Sequence, residues 1–450
     1  MSELSIPQNW VLTTLGSILS VSSGKGLPQS KMVEGNIPVY GGNGVTGQHN
    51  THSIEQVTIV IGREGFYCGS VHLTPSKSWV TDNAFITKYS DSNIDQMFLY
   101  WLLKSTDLRK NDSSTAQPVI SGKKLYPTDV LLPPLAEQEE IARRLDDLLS
   151  QVDSIKTRLD KVPGTLKTFR QSVLAAAVSG QLTESWRKEN TPIKINETNN
   201  TYSLSEEFDY YEIPDTWSFT PIGNIAAFQQ GMQIAKSSRH EADGPNRLPI
   251  LRIGNYSSQF TKDVDYIDVD SSSLIAEKDD IILTRTGESR GGVLTGYRGV
   301  FHNNTFRINF NESAILREYL IISLKNEQTQ NFIKEVSGRS AQPDLTHKKF
   351  GPCPISLPSL EEQAEIVRRV EELFAYADKV EAQVKVAQER VNKLTQSILA
   401  KAFRGELTEA WRATNPELIT GPNSAAALLA RIQAEREAAQ PKKKPRKKKA

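Results

Sequence analysis

Cysteine is nearly missing from this chain: its 450 residues include only Cys68 and Cys353. Two thiols are too few for a disulfide framework, so a packed core must hold the fold, and a reducing cytoplasm is the expected compartment. Long apolar runs are missing as well. No stretch approaches the roughly 20 residues a membrane-spanning helix needs, and residues 1–10 lack the basic and apolar regions of a secretory leader, so no membrane association is expected. Catalytic signatures are also scarce. There is no Gly-x-Gly-x-x-Gly and no Asn/Asp-Pro-Pro-Tyr/Phe of an amino-methyltransferase. Ser22-Ser23-Gly24-Lys25-Gly26 resembles the end of a phosphate-binding loop, but Leu19 stands where that motif requires glycine. Pro343-Asp344 could open a nuclease motif, yet no Glu-x-Lys follows at usable spacing. His49, His52, Cys68 and His72 could sketch a zinc site, but loop histidines and a half-buried cysteine account for them more simply. By itself the chain is expected not to be an enzyme.

Charge of either sign is almost balanced, with a net of +1. The exception is the C-terminal end, where Lys442, Lys443, Lys444, Arg446, Lys447, Lys448 and Lys449 form one basic run. Such a run suits a polyanion partner or serves as a solvated tail.

What the chain does have is repetition. Leu-Pro-Pro-Leu-Ala-Glu-Gln-Glu-Glu-Ile-Ala-Arg-Arg (residues 132–144) returns 225 positions later as Leu-Pro-Ser-Leu-Glu-Glu-Gln-Ala-Glu-Ile-Val-Arg-Arg (357–369). Residues 171–187 return at 396–412 with 11 of 17 positions identical, and Ala116-Gln117-Pro118 returns as Ala341-Gln342-Pro343. Ile-Pro-Gln-Asn-Trp (6–10) returns at 213–217, an offset of only 207. A fixed period signals a duplicated structural unit. The shift in offset implies that the two copies keep their ends and helices, while the segment between Trp10 and Ala116 is replaced.

Each repeated block opens an amphipathic stretch. Ile141, Leu145, Leu148, Val152, Ile155, Leu159, Val162, Leu166, Phe169 and Val173 step by four and three, and the series from Ile366 to Ile398 does the same. Sustained heptads predict two long helices that bury their seams on each other, with a kink or restart at Pro163-Gly164. Short alternating runs near residues 57–61, 80–87, 250–253, 281–284 and 305–310 predict strands, and residues 95–104 and 315–325 predict short helices. The expected fold class is therefore α/β (α+β): two mixed α/β domains joined by two long helices in a coiled coil, with a pseudo-twofold internal repeat. The expected boundaries are 1–134 and 213–358 for the globular domains, and 135–188 and 359–412 for the helices. A linker at 189–212 and a C-terminal short helix with basic tail at 413–450 complete the chain.

Both domains are neutral overall, so a nucleic-acid footprint must be a local patch. Arginine and lysine suit guanine edges; asparagine and glutamine suit adenine. Loop-like positions supply Lys25, Asn43, Arg63, Gln117, Lys123 and Lys124 in the first copy. The second supplies Arg252, Asn255, Arg285, Arg290, Arg339, Gln342, Lys348 and Lys349.

The doubled Leu-Pro-x-Leu-x-Glu-Gln-x-x-Ile resembles the specificity (S) subunit of bacterial type I restriction-modification systems. So do Ile37-Pro38-Val39-Tyr40-Gly41-Gly42-Asn43-Gly44 and Thr115-Ala116-Gln117-Pro118. Residues 396–408, Gln-Ser-Ile-Leu-Ala-Lys-Ala-Phe-Arg-Gly-Glu-Leu-Thr, resemble the enteric, type IA-like subgroup. The resemblance spans roughly residues 6–438. It implies two target recognition domains, each reading half of a bipartite double-stranded DNA site, on an antiparallel coiled coil that separates them and docks two methyltransferase (M) subunits. Restriction/translocase (R) subunits join for cleavage. S-adenosylmethionine, ATP and Mg would be held by those partners and none by this chain. The family has no universal base-contact motif, so the resemblance does not choose among the candidate residues. The rival expectation is a coiled-coil spacer with two protein- or carbohydrate-binding domains, which salt-dependent duplex binding separates from the first.

Overall fold

The computed structural model describes residues 6–65, 67–109, 119–190, 192, 194, 201–252, 264–338 and 343–439. Gln117, Asn255, Arg339, Gln342 and the basic run 442–449 lie outside the described residues. The chain forms two compact units, one of Met1–Leu159 with Val386–Ala450 and the other of Asp160–Lys385. The two long helices are Leu135–Val178 and Leu360–Phe403, 44 residues each. Each unit therefore holds the beginning of one long helix and the end of the other, so the division falls within the helices and not at their ends. Among the described residues, no helix is long and apolar enough to cross a membrane.

In the first unit, β2 (Leu19–Ser23), β8 (Ala84–Tyr89), β5 (Thr58–Gly62) and β6 (Val71–Thr74) form one antiparallel sheet in that order. A smaller sheet runs β4 (Gly44–His49), β3 (Ile37–Gly41), β7 (Trp79–Val80), and β1 (Val11–Thr14) pairs with β9 (Asp129–Leu132). Ile59, Val60 and Ile61 are all buried because β5 is an inner strand covered on both faces, which β-branched residues suit. A helix at Gln96–Ser105 is capped by Asp95, whose carboxylate accepts from the Phe98 N–H at 2.7 Å. Phe98, Leu99 and Leu103 from this helix share a core with Ile141 and Leu145 of the first long helix and Ala402 of the second. Leu428 and Ile432 of the C-terminal helix (Ala425–Ala439) join them.

The second unit repeats this plan, with one strand added to the smaller sheet among the described residues. β11 (Ala226–Gln230), β18 (Thr305–Phe310), β15 (Ile281–Thr284) and β16 (Val293–Leu294) form the first sheet. β13 (Tyr266–Asp268), β12 (Arg247–Leu251), β17 (Gly299–Phe301) and β14 (Ile275–Ala276) form the second, and β10 (Ser218–Pro221) pairs with β19 (Pro354–Leu357). The expectation that the segment after Trp10 had been replaced is corrected: its residues differ, but its topology is retained. A strand needs only apolar side chains at alternate positions, so identity decays while pairing survives. Much of the length difference falls in one connection. β3 and β4 are joined by Gly42-Asn43 alone, whereas β12 and β13 are joined by residues 252–265. Among the described residues, the second unit also carries an additional helix, Glu327–Val336, after Arg317–Lys325.

The recurring Glu-Gln is explained by what each side chain touches. Glu137 is fully buried and accepts from Arg412 Nη1 at 2.5 Å, Thr408 Oγ1 at 2.7 Å and Asn9 Nδ2 at 2.9 Å. In the second unit Glu362, equally buried, accepts from Arg187 Nη1 at 2.5 Å, Thr183 Oγ1 at 2.7 Å and Trp217 Nε1 at 2.8 Å. The glutamines fasten each globular sheet domain to its helix: Gln138 Oε1 accepts from Asp95 N at 3.1 Å, and Gln363 Oε1 from Leu316 N at 2.7 Å. Gly180 (φ +76°) and Gly405 (φ +77°) end the long helices in the left-handed conformation, as C-terminal caps do.

Three expectations change in detail. Pro163 lies inside a continuous helix with no restart; it has no N–H to donate to the helical ladder, and it sits on an exposed face. The heptad seam is buried toward the helix ends (Ile141, Leu145, Val173, Ile366, Val370) but exposed at Ile155 and Leu394. Of the 189–212 stretch, Phe208 is buried against Phe219 and Phe332, so residues 201–212 are anchored to the second unit's core at that side chain and are not a free linker.

Cys68 and Cys353 are both buried, and burial pushes the Cys353 thiol far up from its ordinary value. Neither should react in the folded chain, since the thiolate is the nucleophile. Brief alkylation with iodoacetamide at pH 8 is expected to label neither site without urea and both with it. Rapid labelling of Cys353 in the native chain would contradict this burial.

Candidate nucleic-acid interface

Three segments of the first unit meet at one end of its strands. Lys25 follows β2 and is exposed; its N–H donates to Val80 O at 2.9 Å, and its carbonyl accepts from Trp79 Nε1 at 3.0 Å. This approach requires Gly24, since a Cβ there would stand 2.3 Å from Val80 O. Asn43 is exposed in the β3–β4 turn, which packs directly on the segment after β5: Gly42 O accepts from Ser70 Oγ at 2.9 Å. Arg63 follows β5. Its Nη1 lies 3.4 Å from Ser23 Oγ and 3.5 Å from Asp82 O, and its guanidinium sits over the Phe85 ring. Lys25, Asn43 and Arg63, far apart in sequence, thus share a rim. Ile120 N donates to Arg63 O at 2.9 Å and ties in the short helix Gly122–Leu125, which carries Lys123 and Lys124. Lys123 is exposed, while Lys124 Nζ turns back to Val119 O at 3.4 Å.

The second unit builds the equivalent rim from different groups. Arg285 follows β15 as Arg63 follows β5. Its N–H donates to Asn304 O at 2.8 Å where Arg63 N donates to Asn83 O at 2.9 Å, and its carbonyl accepts from Leu345 N at 3.0 Å. Its side chain meets Asp344 side-on, Nε to Oδ1 at 2.6 Å and Nη2 to Oδ2 at 2.7 Å. Arg252 Nη2 donates to Asp265 Oδ2 at 2.8 Å, and Arg239 lies 3.6 Å from the same carboxylate. Arg290 is directed elsewhere: Nη1 bonds Gly287 O at 3.1 Å and Nη2 approaches Lys334 O at 3.4 Å, stitching its loop to the helix at Glu327–Val336. Lys348 and Lys349 are exposed on His347–Phe350, capped by Thr346 as Gly122–Leu125 is by Ser121.

Two histidines sit among these cations and stay neutral near pH 7. Burial, then the charges of Arg239 and Arg252, lowers the His302 pKa; burial, then Arg285, lowers that of His347. The zinc sketch dissolves: His49 Nδ1 accepts from Val33 N at 3.0 Å, His72 Nε2 lies 3.1 Å from Ser70 Oγ, and His52 faces Glu55 at 3.6 Å. Among the described residues, no three His, Cys, Asp or Glu gather as a metal site.

Sequence reasoning missed a second repeat at this rim. Arg63-Glu64-Gly65 with Gly69 matches Arg285-Thr286-Gly287 with Gly291, and all four glycines have positive φ: +92°, +86°, +76° and +84°. Its offset is 222, so a search at 225 passes over it; aligning the ends of the inner strands finds it. The sequence offers Asp344 only as part of a nuclease motif, whereas its partner in the fold is Arg285.

A family model described as type I restriction modification DNA specificity domain matches residues 7–163 and 214–388. The chain is 34% identical to the type I restriction enzyme EcoBI specificity subunit of Escherichia coli, covering 99% of this chain and 96% of that one. It is 33% identical to the EcoDI specificity subunit of Escherichia coli over the full length of both. With the EcoKI specificity subunit of Escherichia coli K12 it shares 40% identity over 71% of this chain and 66% of that one. In fold it resembles a chain from work on complex assembly and conformational transition of the type I R-M system (TM-score 0.65, 16% identity, 89% and 99% covered). It also resembles the HsdS subunit from Thermoanaerobacter tengcongensis (TM-score 0.56, 16% identity, 90% and 99% covered). With its two matched regions and full-length relatives above 30% identity, the chain belongs to the type I restriction-modification DNA specificity family.

Proposed function

We propose that this chain is the DNA-reading subunit of a type I restriction-modification complex, its two units reading the unequal halves of an asymmetric bipartite duplex site. The observation that carries this reading is a common scaffold with different chemistry at equivalent rim positions. Lys25 is matched by Met232, since each N–H bonds the end of the parallel strand, Val80 O or Phe301 O. The two-residue turn Gly42-Asn43 is matched by the connection 252–265, which begins with Arg252. Hydrogen-bonding groups at a rim can address base edges, and different groups address different bases. The exposed seam residues Ile155 and Leu394 leave apolar surface for methyltransferase subunits, and restriction subunits complete the assembly. S-adenosylmethionine, ATP and Mg are assigned to those partners, because this chain has no donor-binding or phosphate-binding motif of its own. Alone, it is non-catalytic.

The test uses purified chain with and without methyltransferase subunits. Duplex binding is expected to weaken linearly in log–log form as salt rises, by about 0.9 per phosphate neutralised. Methyl transfer is expected only with the partner subunits present. Unaided methylation of DNA from S-adenosylmethionine would overturn the non-catalytic assignment. Affinity for glycan or protein with no salt-dependent DNA binding would return the rival reading.

A further inference from the structure

The strongest unassigned feature of the rim is how Arg285 is held. A guanidinium has two edges able to make paired hydrogen bonds: the side, through Nε and one Nη, and the end, through both Nη atoms. Asp344 takes the side edge, at 2.6 and 2.7 Å. Among the described residues, Nη1 has no hydrogen-bond partner, so the end edge is available. The pair is partly open, with Arg285 21% and Asp344 37% exposed at the side chain. Other arginines in this region differ. Arg290 is consumed by two backbone carbonyls, and the equivalent Arg63 of the first unit lies over the Phe85 ring with Glu64 Oε1 3.7 Å from its Nε and only long contacts to Ser23 and Asp82.

We propose that Arg285 reads a guanine in the major groove through its free end edge, and that Asp344 is the positioning residue that aims it. This rests on the DNA-reading function proposed above and deepens it: the half-site addressed by the second unit contains an invariant G·C pair. Guanine O6 and N7 are two acceptors side by side, the pattern an end-on guanidinium matches. A phosphate is the poorer occupant. Asp344 cancels most of the arginine's charge and would repel a second anion, whereas a base edge carries no net charge and is not repelled. A purely structural latch is also the poorer reading, because backbone bonds already fasten these two segments. Leu345 N donates to Arg285 O at 3.0 Å, and Gly287 N donates to Pro343 O at 3.3 Å. Fixing a long side chain in advance removes rotamer freedom that binding would otherwise cost.

The experiment maps methylated sites for the full chain assembled with its methyltransferase subunits, comparing wild type with Arg285→Gln, Arg285→Lys and Asp344→Asn. Wild type is expected to show a G·C pair at one fixed position of one half-site. Arg285→Gln should relax that position alone, and Asp344→Asn should relax it in part. Arg285→Lys keeps the charge without the fork, so it should bind DNA with the wild-type salt slope yet discriminate poorly at that base. Replacing the guanine by 7-deazaguanine, which removes N7 and leaves O6, should weaken wild-type binding about five-fold, the lower end of the range for a paired base contact, and leave Arg285→Gln unaffected. Unchanged target sequences in all three variants would overturn the assignment. So would an equal loss at every DNA sequence with a shallower salt slope, the mark of a phosphate contact. If Arg285→Gln does not fold, Arg285→Lys and the 7-deazaguanine duplex decide between the same outcomes. A wild-type complex that marks no discrete sequence would overturn the DNA-reading function as well, whereas a discrete site with no invariant G·C pair would overturn only the arginine.

Discussion

Arg412→Ala is expected to destabilise the first unit by about 3–5 kcal/mol, the usual cost of leaving one member of a buried ion pair without its partner. Glu137 has no exposed surface, so water cannot replace the lost guanidinium; only Thr408 and Asn9 would remain beside the carboxylate. Arg412 also spans Glu137, Gly405 O at 2.7 Å and the face of Trp10, so its loss frees the cap of the second long helix as well. A loss of this size is a large share of a typical domain's stability. The change should appear in hydrogen exchange as lost protection around Trp10, Glu137 and Gly405. Arg187→Ala should do the same around Trp217, Glu362 and Gly180. The double change Glu137→Leu with Arg412→Met should recover part of the loss, because a neutral apolar pair carries no desolvated charge. Recovery stays incomplete because Thr408 and Asn9 lose their acceptor. A cost under about 1 kcal/mol for Arg412→Ala would mean that the buried carboxylate finds other compensation.

Exchanging the first globular insert for that of another family member is expected to replace one half of the recognised sequence and leave the other half intact. The structure sets where to cut. β1 and β9 pair antiparallel from Val11↔Leu132 to Thr14↔Asp129, so a graft joined just inside Thr14 and Asp129 keeps the frame. It retains Trp10, Asn9 and Glu137, and with them the buried arginine pair. Methylation at the original site should fall by a factor on the order of 10³ or more, the lower range separating specific from non-specific DNA binding. An equally strong signal should appear at a new site sharing the unexchanged half. The graft must also respect contacts outside the rim: Asn93 Nδ2 donates to Glu435 Oε1 at 2.9 Å, Arg431 Nε to Asn93 Oδ1 at 3.2 Å, Arg436 Nη1 to Gly16 O at 2.7 Å and Asp95 N to Gln138 Oε1 at 3.1 Å. Deep sequencing of methylated fragments reads both halves at once. Change in both half-sites would show that the units do not read independently.

The sequence alone determined the frame of this protein. Buried charge is intolerant: Glu137 and Glu362 need an arginine and a hydroxyl in reach, so those residues persist in both copies and reveal the period. Helical periodicity was equally legible, because a face packed over many turns demands apolar residues at every third or fourth position. Strand topology was not. Any apolar residue serves in β5 or β15, and the order β2-β8-β5-β6 joins segments distant in the chain, so no local pattern encodes it. The rim was half legible. Residue chemistry pointed to Lys25, Asn43, Arg63 and Arg285, but only folding showed that the first three meet and that Arg290 is spent on backbone carbonyls. The partnership of Arg285 with Asp344 spans 59 positions and depends on two loops converging. Proximity of that kind is decided by tertiary packing, and with it the direction in which a side chain can address DNA.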